Sequence, residues 1–115
     1  MTLPHNHGQE IEKHFEHMPK EESFTATADI FKLLSDSSRA RIFWMLCHCE
    51  ECVINISALM DMSSPAVSHH LRLLKDNGLI VSRREGKEVY YRAAETEQAE
   101  MLHQTIEKLA TISCI

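Results

Sequence analysis

No stretch of this chain approaches the roughly 20 consecutive apolar residues that a membrane-spanning helix needs. Its first ten residues, MTLPHNHGQE, lack the charged start and apolar run of a secretory signal. These absences point to the cytoplasm and to no membrane partner. There thiols stay reduced, and clustered cysteines serve more often as metal ligands or redox sensors than as structural disulfides. A glycine-rich phosphate loop and an oxyanion motif are also missing, so an enzyme has no support. Nor do the 115 residues contain an internal repeat, a low-complexity tract or a second globular domain. Positive charge is scarce. Twelve Lys and Arg against seventeen Asp and Glu give a formal net charge of −5, which at first argues against nucleic acid.

The distribution of charge reverses that argument. Residues 1–30 carry a net −4, residues 31–63 a net −1 and residues 93–115 a net −3. Residues 64–92 alone are positive, at +3, with Arg72, Lys75, Arg83, Arg84, Lys87 and Arg92 outnumbering Asp76, Glu85 and Glu88. One basic segment on an acidic body is the footprint of a local phosphate-binding surface.

Apolar spacing divides the chain into an arm, residues 1–20, and a domain, residues 21–115. The arm is polar and carries His5, His7, His14 and His17, candidate ligands or a solvated tail, before Pro19 interrupts it. From Glu22 to Leu34, Phe24, Ala28, Phe31 and Leu34 recur at helical spacing and predict a core-facing helix. SDSSRARIFWMLCH predicts another, capped within Ser35 to Ser38, with Ile42, Met45 and Leu46 as its apolar stripe and Trp44 nearby. Ile54, Ile56, Leu59 and Met60 mark a short helix ending near Met62. Ser63 or Ser64 then caps a second helix with Pro65 at its start, Val67, Leu71 and Leu74 on its buried face and Gly78 beyond its end. The pair forms a helix-turn-helix pattern. In LIVSRREGKEVYYRA the period changes to two: Leu79 and Val81, a turn at Glu85-Gly86-Lys87, then Val89 and Tyr91, a β-hairpin signal. A final amphipathic helix places Ala99, Leu102, Ile106 and Leu109 on one face, suited to packing against a second copy. The expected fold is therefore mostly α with a small β-hairpin, a winged helix-turn-helix ending in a dimerisation helix, and homodimeric.

The helix from Pro65 to Asn77 is the candidate reader of DNA. Ser64, Ala66, Ser68, His69, Arg72 and Lys75 lie opposite its apolar stripe, and Arg83, Arg84 and Lys87 line the hairpin. Short side chains near the helix start let the backbone approach the major groove. Ser and His bond base edges or phosphates, and Arg72 and Lys75 suit phosphates.

FKLLSDSSRARIFWML, followed by SSPAVSHHLRLLKDNGLIVSRREGKEVYYRA, resembles the ArsR/SmtB family of bacterial metalloregulatory repressors. The resemblance spans Ala28 to Leu109. It implies a winged helix-turn-helix homodimer that holds double-stranded operator DNA, each recognition helix reading half of an imperfect palindrome, and releases it when an inducer binds.

What remains to be explained is CHCEEC, residues 47–52, with three cysteines and a histidine in six positions. In the family, one inducer site lies on the first helix of the helix-turn-helix in a motif resembling ELCVCDL. Cys52 falls on its first cysteine, Ile54 on its second, and Cys47 and Cys49 precede it. A second family site, on the last helix, falls here on Glu95, Glu97, Lys108 and Thr111. Lysine and threonine make it a poor zinc site, leaving Glu95, Glu97 and His103 for any variant. Cys47, Cys49 and Cys52 converge only if the chain bends between the Trp44 and Ile56 helices, since Cys47 and Cys49 point apart on a continuous helix. Three thiolates suit Zn²⁺, Cd²⁺, Pb²⁺ or trivalent arsenic, As(III). A fourth ligand for zinc or cadmium falls to Cys114 or to an arm histidine, among them His5, His7 and His14. Two other readings stay open: buried cysteines that only pack, and a redox pair, against which Glu50 and Glu51 argue by disfavouring the thiolate.

Overall fold

The computed structural model describes residues 2–113. Six helices and three strands follow one another as α1 (Ile11–Glu16), α2 (Glu21–Leu33), α3 (Ser37–Leu46), β1 (Glu51–Cys52), α4 (Val53–Met60), α5 (Ser64–Asp76), β2 (Ile80–Glu85), β3 (Glu88–Ala93) and α6 (Glu97–Ser113). This is a winged helix-turn-helix: α4 and α5 are the motif, and β2 and β3 are the wing. Cys114 lies outside the described residues. None of the helices described is long and apolar enough to cross a membrane.

Local chemistry sets the element ends. Asp36, within the expected 35–38 stretch, caps α3 by accepting the Arg39 amide at 2.9 Å. Helix α4 stops where Asp61 turns left-handed (φ 52°), a conformation that Asp tolerates better than most residues. Ser63 then accepts the Ala66 amide at 3.2 Å and starts α5, with Pro65 in its first turn. The wing closes through a two-residue turn, Gly86-Lys87, whose Gly86 holds φ 62° at no steric cost.

The core forms where α3, α4, α5 and the root of the wing meet. Ile42, Phe43 and Leu46 of α3, Ile56 of α4, and Val67, Leu71 and Leu74 of α5 are buried together with Leu79, Ile80, Ala99 and Leu102. Each of these side chains except that of Ala99 contributes about 1.5–3 kcal/mol by leaving water.

The structure departs from the expected pattern in four places. Phe24 and Phe31, expected inside, are 49% and 66% exposed, and α2 buries only Leu33. The hairpin runs one residue out of the expected phase: Leu79 precedes the strand, Ile80 points inward and Val81 outward, because Leu79 and Ile80 are both taken into the core as the chain leaves α5. Leu109 is 58% exposed, since α6 reaches past the core after Ile106. Finally, Glu51–Cys52 form a third strand. β1 pairs antiparallel with β3, Glu51 opposite Tyr91 and Cys52 opposite Tyr90, so the sheet order is β1-β3-β2.

Candidate nucleic-acid interface and thiol cluster

Helix α5 turns its apolar stripe into the core and presents Ser64, His69, Arg72 and Lys75 to solvent, with Ala66 and Ser68 half-buried between them. Ser64 Oγ lies 3.1 Å from Ser57 Oγ of α4, which links the helix-turn-helix pair beside the turn. Lys75 Nζ donates to Ser82 Oγ of β2 at 2.8 Å, so this lysine ties the reading helix to the wing. One side chain on α5 breaks the polar-out pattern. His70 is buried, and its Nδ1 has no partner among the described residues.

The wing cations divide into two kinds. Arg83 Nε donates to Glu50 Oε1 at 2.8 Å and Nη1 to Glu85 Oε2 at 2.6 Å, while its guanidinium sits 4.9 Å from the Tyr90 ring centre. Those carboxylates raise the Arg83 pKa further, and in return the Arg83 hydrogen bond holds the Glu50 carboxyl below its usual range. Among the described residues, Arg84 and Lys87 make no ion pair and extend from the tip.

CHCEEC occupies the passage from α3 into β1, so the expected bend is present. All three thiols are free: Cys47 half-buried at the C-cap of α3, Cys49 exposed, Cys52 buried at the start of α4. Cys49 Sγ donates to the Met45 carbonyl at 3.3 Å. Burial first, and the Glu107 carboxylate second, push the Cys47 thiol up to about 11, and burial and Glu51 push Cys49 upward too. The thiols are not gathered into one site here. Among the described residues, the one group of three ligand atoms lying within 4.8 Å of one another is His48, His103 and Glu107. Pairing of β1 with β3 explains the separation, because it draws Cys52 into the sheet while Cys47 stays with the helix end.

The remaining expected ligands lie apart from the thiols. His5 and His7 stack on each other with ring centres 5.8 Å apart, and His14 is exposed on α1. Glu95 pairs with Arg92 at 3.4 Å, while Glu97, Lys108 and Thr111 are exposed along α6. The two imidazoles and the carboxylate come from segments 55 residues apart. The only trace of this in the sequence is the i,i+4 spacing of His103 and Glu107.

Comparison with known proteins agrees with this geometry. The family described as "Bacterial regulatory protein, arsR family" matches residues 36–82. The arsenical resistance operon repressor of Escherichia coli K12 is 39% identical over 71 residues, 61% of either chain. A cadmium resistance transcriptional regulatory protein CadC homolog of Staphylococcus aureus is 45% identical over 65 residues, 56% of this chain and 54% of that one. The chain thus spans less than two thirds of the length of these curated relatives. Among solved structures, a possible transcriptional regulatory protein of Mycobacterium bovis (fragment 1–100) superposes at TM-score 0.68 and 30% identity, covering 81% of this chain and 99% of that one. HlyU from Vibrio cholerae gives TM-score 0.69 at 28% identity, with 84% and 100% covered. A homodimeric winged helix-turn-helix domain from M. bovis, seen in solution, gives 0.72 at 27% identity, with 85% and 92% covered.

Proposed function

This chain belongs to the arsR family of bacterial regulatory proteins, and from that premise we propose a homodimeric, cytoplasmic repressor of transcription that holds double-stranded operator DNA and releases it to a thiophilic ion. Zn²⁺, Cd²⁺, Pb²⁺ and trivalent arsenic are the candidate inducers, and Cys47, Cys49 and Cys52 the candidate ligands, with Cys114 available as a fourth. The arsenic and cadmium regulators among its relatives support this reading, and with regulators as relatives an enzyme falls away. On the DNA side, α5 enters the major groove and Arg84 and Lys87 meet phosphates.

One observation carries the proposal: the thiol segment is part of the wing. Cys52 stands opposite Tyr90 of β3, and Glu50, between Cys49 and Glu51, pairs with Arg83 of β2 and lies 3.8 Å from Arg92 of β3. Three free thiols in six residues are soft donors that fit such ions, and the acidic neighbours welcome a cation. Drawing Cys49 and Cys52 together requires the 49–52 backbone to shift, which pulls on β3 and loosens the Glu50–Arg83 contact. Wing and reading helix then lose their common register. A coupling of about 1–3 kcal/mol weakens operator binding about 5–150-fold.

Dimerisation is supported by what the monomer leaves uncovered. Phe24 and Phe31 of α2 and Met101, Leu109 and Ile112 of α6 are exposed apolar side chains.

The test is operator binding by the reduced protein, read by fluorescence anisotropy, while Zn²⁺, Cd²⁺, Pb²⁺ and arsenite are titrated. Release by at least one ion, abolished in Cys52→Ser, is the expected result. Release by an oxidant and by no ion converts the reading to a thiol redox switch. The upward pull on Cys47 and Cys49 disfavours the thiolate that metal ligation and redox chemistry both use, and the titration separates the two.

A further inference from the structure

His48, between two of the cysteines, reaches α6. Its Nε2 lies 3.0 Å from His103 Nε2 and 3.4 Å from Glu107 Oε1, and His103 Nε2 lies 3.1 Å from the same oxygen. We propose that these three side chains form a second ion site, built of nitrogen and oxygen, for a borderline divalent transition ion such as Zn²⁺, Ni²⁺ or Co²⁺. It is separate from the thiols in ligands and in chemistry.

The triangle has the right size. Zinc bonds to imidazole nitrogen or carboxylate oxygen are about 2.0–2.1 Å long, so the edge of a tetrahedral face is about 3.3 Å. The three edges here, 3.0, 3.1 and 3.4 Å, bracket that value.

Protons alone satisfy the arrangement poorly. The two Nε2 atoms face each other and also face one carboxylate oxygen, so each of the three contacts calls for a hydrogen of its own. Hydrogens on both nitrogens would serve Glu107 but oppose each other across the 3.0 Å gap, and a hydrogen on one leaves the other nitrogen's lone pair facing the carboxylate. A single cation capping the face accepts all three lone pairs at once.

The surroundings suit an ion as well. Trp44 Nε1 donates to Glu107 Oε1 at 3.1 Å and steadies the carboxylate, the kind of outer contact that orients a ligand. The two imidazoles meet edge to face, 4.8 Å between centres at 84°, so their nitrogens converge from different directions. Side-chain exposures of 46% for His48, 24% for His103 and 49% for Glu107 leave a way in for the ion and room for a water as fourth ligand. Two imidazoles and a carboxylate favour borderline metals over arsenic or lead. An ion there would join the end of α3 to α6 and hold the backbone between Cys47 and Cys49.

The chain reports on this site by itself. Trp44 is its one tryptophan, and its ring lies 4.3 Å from that of His48. The experiment titrates Co²⁺ into the full reduced chain and into the same chain with Cys47, Cys49, Cys52 and Cys114 all changed to serine, following Trp44 fluorescence and visible absorption. The expected result is quenching by one equivalent in both. In the thiol-free chain, weak visible metal-centred bands come without a near-ultraviolet thiolate band, and Zn²⁺ reverses the signal. His103→Gln, His48→Gln and Glu107→Gln each weaken Co²⁺ at least tenfold, whereas replacing the arm histidines leaves it unchanged. Quenching that disappears with the cysteines, follows the arm histidines or survives His103→Gln in the thiol-free chain overturns the proposal. Since the operator assay responds to Cys52 and this one to His103, failure of either reading is seen separately.

Discussion

At the scale of single residues, His70 places a titratable group on the inner side of the reading helix. Burial lowers its pKa below the ordinary 6.5, and neighbouring Arg39 and His69 push the same way while Asp36 opposes them. The folded protein therefore keeps this ring neutral where the unfolded chain takes up a proton. Unfolding binds that proton, so stability declines as pH falls from about 6.5 toward the depressed folded value, and the contribution is intact above that window. His70→Leu, of similar bulk and without the orphaned Nδ1, is expected to flatten the urea midpoint between pH 7 and pH 5 relative to the parent chain. An unchanged slope would mean that other groups govern acid sensitivity. Residues of the thiol segment behave in the opposite sense. Cys47, raised to about 11, loses its contribution as pH climbs from its ordinary 9.0 through that value.

Elements repeat the same local logic with larger consequences. α5 depends on one capping hydroxyl, Ser63 to the Ala66 amide, at the point where the helix must start for its first turn to face DNA. Ser63→Ala is expected to cost about 1 kcal/mol and to lower the thermal midpoint by several degrees, without changing the fold. A scanning calorimetry trace that leaves the midpoint in place would assign the cap elsewhere. This helix was legible in position and buried stripe, because proline, apolar spacing and final glycine agree on one register, while the choice of Ser63 over Ser64 as cap and the burial of His70 came only with the structure. The wing was legible in kind but shifted in phase: two adjacent apolar residues, Leu79 and Ile80, both enter the core, and alternation cannot express that. β1 was invisible, since two residues carry no period and their pairing depends on Tyr90 and Tyr91, about forty positions away. The exposure of Phe24 and Phe31 escaped for a related reason. Spacing tells which residues share a face, and it does not tell which chain covers that face. The thiols were legible as ligand types, whereas the meeting of His48 with His103 rests on how α6 packs back.

For the whole molecule, an acidic body carrying a basic edge makes DNA binding sensitive to salt. Arg84 and Lys87 stand unpaired at the wing tip among the described residues, while Arg83 is held by Glu50 and Glu85. Arg84→Ala and Lys87→Ala should each reduce the slope of log affinity against log salt by about one, as expected for a lost phosphate contact. Arg83→Ala should change that slope less and, under the proposed mechanism, reduce the response to the titrated ion, because its carboxylate partner belongs to the thiol segment. Anisotropy titrations across a salt series measure all three. Equal slopes for Arg83→Ala and Arg84→Ala would place Arg83 on the phosphate backbone.

The shortness of β1 also bears on time. The β1–β3 ladder consists of two residue pairs, Glu51 with Tyr91 and Cys52 with Tyr90, and beside it the thiol segment is tied to the wing by the exposed Glu50–Arg83 ion pair. Such a ladder opens at a free energy well below that of global unfolding. Cys52 therefore becomes reachable in brief, repeated excursions while the core stays closed. Under the proposed release through Cys52, the frequency of those excursions caps the speed of response: at low ion concentration the rate of derepression follows supply, and at high concentration it levels off at the rate at which β1 parts from β3.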